Sequence, residues 1–306
     1  MSTPSHENLY YYIQAVGLRM GAFISIGELL TPNPLDIAVD TVAAKAGIGG
    51  ISLFEDNDIV ISNVSITMNV VNPDSTIHTE KLTTQNDLIT SENGAIVLTT
   101  QDGAITILDG FAPDDRIGIN PNGTGNILIH AQGENQDITF DANIVSNQGH
   151  ITILSADSIN QNADISTVGG TIDIEATTGF IIMDDGTTTT GTENIRYTAK
   201  TNLSLGEIST NADVSLLAES IIDSGNAEID ITADELRIIT TGTNDGQGLG
   251  NAINHIETSV NQLAADINGT GTGGLFIKET NAINIDQLNP IAVNRVSRHW
   301  THIHRC

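Results

Sequence analysis

Positive charge is scarce in this sequence: 11 Lys and Arg stand against 38 Asp and Glu in 306 residues, for a formal charge of −27. Phosphate backbones and anionic lipids are held by Lys and Arg, so neither nucleic-acid binding nor a membrane-surface role is expected. Aromatic residues make up only 4%, too few for a core built around rings, which leaves Ile, Leu, Val and Ala to fill it. Cysteine occurs once, as Cys306, and a single cysteine builds no disulfide framework. No run approaches the roughly 18 uninterrupted apolar residues of a membrane span. The start is not expected to serve as a secretory signal either. The short apolar patch Ala22–Ile26 follows Glu7 and Arg19 and runs into Glu28 without a small-residue cleavage site. What is present, 39% hydrophobic residues and 29 glycines, lies in the ordinary globular range and argues against wholesale disorder.

One five-residue phrase keeps returning: a small or polar residue, any residue, a large apolar residue, any residue, a large apolar residue. It occurs at Gly94–Leu98, Gly103–Ile107, Gly125–Ile129, Gly149–Ile153 and Gly170–Ile174, and more loosely at Gln136–Phe140, Glu193–Tyr197 and Ala212–Leu216. Apolar residues at every second position mark a strand with one buried face. Turn residues such as Asp109-Gly110 and Asp184-Asp185-Gly186 separate the phrases. The recurrence predicts an all-β fold, a parallel β-helix of about 20–24 residues per coil. A lone coil buries too little to offset the entropy of ordering its backbone, so such units are stable only when stacked. A sandwich of antiparallel hairpins would need two-residue Asn-Gly turns between neighbouring strands, and these are scarce.

A longer similarity surrounds the coils. Leu18-Arg19-Met20 matches Leu236-Arg237-Ile238, and Val39, Val42, Ala43 and Ala44 match Val260, Leu263, Ala264 and Ala265. The stretch Gly49–Ile61 matches Gly273–Ile285, including Glu55 with Glu279 and Asn57 with Asn281. Residues 18–61 and 236–285 are thus expected to be two copies of one unit, with the first copy frayed. Within them, Leu35–Ala46 fits a strand or a helix face, and its counterpart around Ile253–Leu263 leans helical; a strand is the expectation for the first. The solenoid is expected over 18–285, between an atypical tail at 1–17 and an atypical His/Arg-containing tail at 286–306. The chain reads as a fragment that begins and ends inside a repeat.

The phrases Asn33–Ala44, Gly170-Gly…Asp184-Asp-Gly and Ile221-Ile-Asp-Ser-Gly225 resemble the repeat regions of very large bacterial surface proteins, the filamentous-haemagglutinin-like adhesins. The resemblance covers about residues 18–285. It implies a right-handed β-helix, export to the cell surface or the medium, and a role as stalk or attachment surface. The partners it implies are a surface receptor or glycan, or none beyond neighbouring repeats of the same long chain.

No residue set compels chemistry, and no catalytic, cofactor-binding or metal residue is assigned. His299, His302, His304 and Cys306 could bind Zn²⁺ or Ni²⁺, but they lie close only along a tail. Glu55–Asp58, Asp114-Asp115, Asp184-Asp185 and the Gly/Asp-rich stretch Gly242–Gly248 are candidate oxygen ligands for calcium, set against plain polar turns. Asp173 and Glu175 raise the alternative of a β-helical carbohydrate-active module, a polysaccharide lyase or glycoside hydrolase. Both, however, are expected to face water from one strand, with Ile172 and Ile174 buried, and a hydrolase needs carboxylates that converge on one sugar bond. Arg116, Arg196 and Lys200 are scattered, and His78, His130 and His150 read as outward or turn residues. The run Thr187–Thr190, broken by acidic neighbours, reads as a solvated face. The chain is expected to be non-enzymatic.

Overall fold

A computed structural model describes residues 13–30, 33–110, 115–225, 229–270 and 272–297. Their secondary structure is all β. Twenty-seven strands form one sheet in which every pairing between named strands is parallel, and two more form an antiparallel hairpin. The large sheet winds as a β-solenoid with three strand columns. One coil runs through Ile172–Ala176, Ile181–Met183 and Thr188–Thr190, and the next through Ile195–Ala199, Asn202–Leu205 and Glu207–Ser209. Each strand is bonded to its counterpart in the following coil.

The apolar positions of the phrase point inward and stack on one another. In the first column Ile51, Ile96, Ile127, Ile151, Ile172, Ile195, Val214, Leu236 and Leu263 are register partners in succession. All are buried. Like side chains are thus placed one above another in the interior, an arrangement that suits β-branched residues. One polar group of three is enclosed with them. Tyr197 OH donates to Gln161 Oε1 (2.8 Å), Gln161 Nε2 donates to Thr189 Oγ1 (2.9 Å), and Thr189 Oγ1 shares a hydrogen bond with Tyr197 OH. Each member is satisfied, so its burial carries little penalty.

The unrestricted second position of the phrase has a use that its variability conceals. Asn126 Oδ1 accepts from His150 N (2.8 Å), and His150 Nδ1 accepts from Thr171 N (2.9 Å). Asn194 Oδ1 accepts from Asp213 N (3.2 Å), and Asp213 Oδ1 from Glu235 N (3.2 Å). Each short polar side chain satisfies a backbone amide one coil further on, at the corner where the ladder is interrupted. The glycines just before them permit contact between coils. A Cβ on Gly149 would lie 1.9 Å from Gly125 O, and one on Gly170 would lie 2.0 Å from Gly149 O.

Coil length is less regular than the expected 20–24 residues. Register partners lie 24, 21, 23, 19 and 22 residues apart between Ile127 and Leu236. They lie 31 apart from Ile96 to Ile127, and 27 apart from Leu236 to Leu263. The step from Ile51 to Ile96 spans 45 residues because it carries an exposed antiparallel hairpin, Thr67–Val71 with Ile77–Lys81. Its turn is tied by Asp74, whose Oδ1 accepts from Thr76 N and Oγ1. Corners can absorb such insertions because only the strands must remain in register.

The two long aligned segments pair in the same register. Leu35–Ala46 and Ile256–Ile267 are both twelve-residue strands, so the second is not helical. Leu18 lies beside Val42 as Leu236 lies beside Leu263, and Leu35 lies beside Leu53 as Ile256 lies beside Ile277. The matched glutamates make matched bonds. Glu55 Oε2 accepts from Val39 N (3.0 Å) and Oε1 from Asn57 N (3.2 Å); Glu279 accepts from Val260 N (3.3 Å) and Asn281 N (2.9 Å). They nevertheless occupy different columns. Leu53 and Val60 continue into Leu98 and Thr106, in the first and second columns, whereas Thr258 and Leu263 continue from Ile231 and Leu236, in the third and first.

Burial at the ends reverses the expectation. Ile51, Leu53, Ile59 and Ile61 are fully buried, whereas Leu275 and Ile285 are exposed and Ile277 and Ile283 only half-buried. The first segment is covered by the strands at Ile96 and Ile105, while no described strand covers the second. The tail boundaries move as well. Ile13–Gly21 is a strand along Ile37–Lys45, so the solenoid includes residues 13–17. Residues 1–12 lie outside the described residues.

Candidate functional site

Between the inward isoleucines of the first column, outward residues were expected to be solvated. Val97, Leu128, Thr152 and Asp173 are instead buried. Over Asp173 the cover is the C-terminal segment, which returns along the outside of the coils. Asn194 Nδ2 donates to Ala292 O (2.8 Å), Asn294 N donates to Thr171 Oγ1 (2.9 Å), and Val296 N donates to Thr152 Oγ1 (2.9 Å). Short hydroxyl side chains in adjacent coils thus supply acceptors at strand spacing, and an extended backbone fits them as it would fit a sheet edge.

Asp173 is the centre of this contact. Arg196, its register partner in the next coil, donates through Nε and Nη2 (both 2.9 Å), and Arg295 donates through Nε (2.6 Å). Arg295 also bonds Glu175. The expectation that Asp173 is exposed therefore fails, because a residue 122 positions away covers it. The Asp173–Glu175 pair considered for sugar chemistry is held by Arg295. Burial and the nearby Arg295 together lower the pKa of His130.

A second place concentrates charge without neutralising it. Asp223 ends the strand Ser220–Asp223, and Asp230 precedes Ile231 in the third column of the same coil. Glu257 sits beside Asp230 in the following coil, since Ile231 is the register partner of Thr258. Glu207 precedes Ile208, the partner of Ile231, which puts Glu207, Asp230 and Glu257 in one outward column. Carboxylates stacked at strand spacing repel one another. Gly225 N donates to Asp223 Oδ1 (2.6 Å), and Glu257 N donates to Asp230 Oδ2 (2.7 Å). Burial, then the charges of Asp223 and Glu257, raise the Asp230 carboxyl well above its usual range. Among the described residues, the cation that reaches the cluster is Lys278, whose Nζ lies 3.4 Å from Glu257 Oε1.

The turns singled out from the sequence fare differently. Glu55 is spent on backbone amides, Asp58 accepts from Ala104 N, and Asp245 from Thr272 N. Asp114, His299, His302, His304 and Cys306 lie outside the described residues. Asp185 borders the Asp223–Asp230 cavity. Asp223, Asp230 and Glu257 themselves escaped notice because they belong to separate elements, two strands and a bend. Only a coil-by-coil register would have placed the last two side by side.

No known family model, curated protein or solved structure matches the chain. Among the described residues no helix is long and apolar enough to cross a membrane.

Proposed function

We propose that the chain is a non-enzymatic stalk or attachment segment of a large secreted or surface-exposed bacterial protein of the filamentous-haemagglutinin-like kind. The observation that supports this is the uninterrupted inward column, in register from Ile26 through Leu263. Each coil adds about 4.8 Å of length and needs only its neighbours for stability. Such a design converts sequence length into reach. The long aligned segments are, in this reading, one period and the start of the next. Partners are neighbouring periods and, at the tip or sides, a surface receptor or glycan. The carbohydrate-active alternative has no observation in its favour, since its carboxylate pair is engaged by Arg295. Antibodies raised against the purified chain should label intact, unpermeabilised cells carrying the gene, or the medium around them. Labelling that appears only after permeabilisation would refute the assignment.

A further inference from the structure

We propose that Asp223, Asp230 and Glu257 form a binding site for a single Ca²⁺ ion, clamped between two successive coils of the solenoid. The three side chains each offer a carboxylate oxygen, and these oxygens all lie within 4.8 Å of one another. Ligands at 2.3–2.6 Å from a calcium ion are separated by no more than about 5 Å, so one ion reaches all three. The residues are withdrawn from solvent, with Asp223 8%, Asp230 6% and Glu257 9% exposed. Asp223 Oδ2 and Glu257 Oε2 are buried without any hydrogen-bond partner. An anionic oxygen left in that condition is costly, and a cation is the partner that three converging carboxylates can accept together.

Space and chemistry agree with this choice. A cavity of about 30 Å³ lies against Asp223 and Asp230, with Asp185 and Glu207 also on its wall. That is room for one or two waters beside the two aspartates, and Glu257 does not line it. The donors are all oxygen, which favours hard cations over Zn²⁺ or Cu²⁺. Three carboxylates on a turn and two strands suit the flexible coordination of calcium better than the strict octahedron of Mg²⁺. Lys278 neutralises one charge from the rim at most, since its side chain is 67% exposed and its contact is long. The rival arrangement is a proton shared between Asp230 and Asp223, with no ion.

The site differs from every turn that the sequence brought forward, Asp185 at its wall excepted, and it stands whether or not the chain is a surface stalk. Calcium titration of the chelator-stripped full chain, followed by calorimetry at about 0.15 M salt, tests it. A surface of charge −27 gathers loose counterions, so the comparison between variants carries the decision. The wild type and the control Asp74→Asn, on the exposed hairpin turn, should bind one more equivalent than Asp223→Asn or Glu257→Gln. Calcium should also raise the melting temperature of the first two but not of the last two, with unchanged far-UV spectra confirming that all four are folded. If Asp223→Asn fails to fold, Glu257→Gln alone decides. Equal stoichiometry in wild type and Glu257→Gln would overturn the site in favour of the shared proton, and equal stabilisation by Mg²⁺ would overturn the choice of ion.

Discussion

Replacing Arg295 with alanine removes one cation from Asp173 and the whole of the link to Glu175, but it does not orphan the buried carboxylate. Asp173 keeps both bonds from Arg196. The cost is therefore less than the several kcal/mol of an unpaired buried charge. Hydrogen bonds to charged groups contribute about 1.5–3 kcal/mol each when fully buried. The guanidinium side chains here are 31% and 36% exposed, so water screens part of that. About 2 kcal/mol remains, and it falls on the docking of residues 292–296 rather than on the coils. Hydrogen exchange read by mass spectrometry isolates the effect. The amides of Asn294 and Val296, which donate to Thr171 and Thr152, should exchange about 30-fold faster. The amides of Ile172–Ala176 should be unchanged. Asp173→Asn should release the same segment, since it leaves two guanidinium groups without their carboxylate. Unaltered exchange at 292–297 in Arg295→Ala, or a lower global melting temperature without local opening, would refute the reasoning.

Three further outcomes are expected. Ile172→Asp places an unpaired charge in the sealed column and should cost on the order of 3–5 kcal/mol in urea melts, or prevent folding; a cost below 1 kcal/mol would contradict the inward assignment. The Asp87 carboxyl, with neither oxygen bonded, is raised to about 7 by burial and by Asp115 and Asp109. Because the folded value lies above the unfolded one, the contribution of this group to stability should be greatest below pH 4 and fall as pH rises from about 4 to 7, by up to about 4 kcal/mol. Asp87→Asn should flatten that slope and stabilise the chain at pH 8, and a steeper slope would be decisive against it. Exchanging Thr67–Lys81 for a short turn should leave the melt unchanged, because Leu82 N already bonds Ile66 O and Val64 pairs with Gln85 below the hairpin.

Much of the fold is legible because it repeats. Ile127, Ile151 and Ile172 announce their burial through alternation, and Gly125, Gly149 and Gly170 through their place before each strand. What the sequence hides depends on partners distant along the chain. Nothing near Asp173 signals that Arg295 covers it, and the Tyr-rich start disguises Ile13–Gly21 as a tail. The polar second position of the phrase looks unconstrained until the next coil is present to donate to it. The acidic site is hidden for the same reason, since Asp230 and Glu257 are 27 residues apart and become neighbours only when one coil settles on another.

The column shift between the two matched segments sets how a longer array would face its surroundings. Leu35 and Leu53 of the first unit stand in the first column, whereas their counterparts Ile256 and Ile277 stand in the third. A filament assembled from such periods would behave as a screw, each period turning its hairpin and its acidic pocket to a new azimuth. Three periods would bring them back into line. Every flank would then carry each feature at regular intervals, and no flank would carry any of them continuously. Two such filaments lying side by side could not match faces over their full length, which would keep long, exposed rods apart in solution.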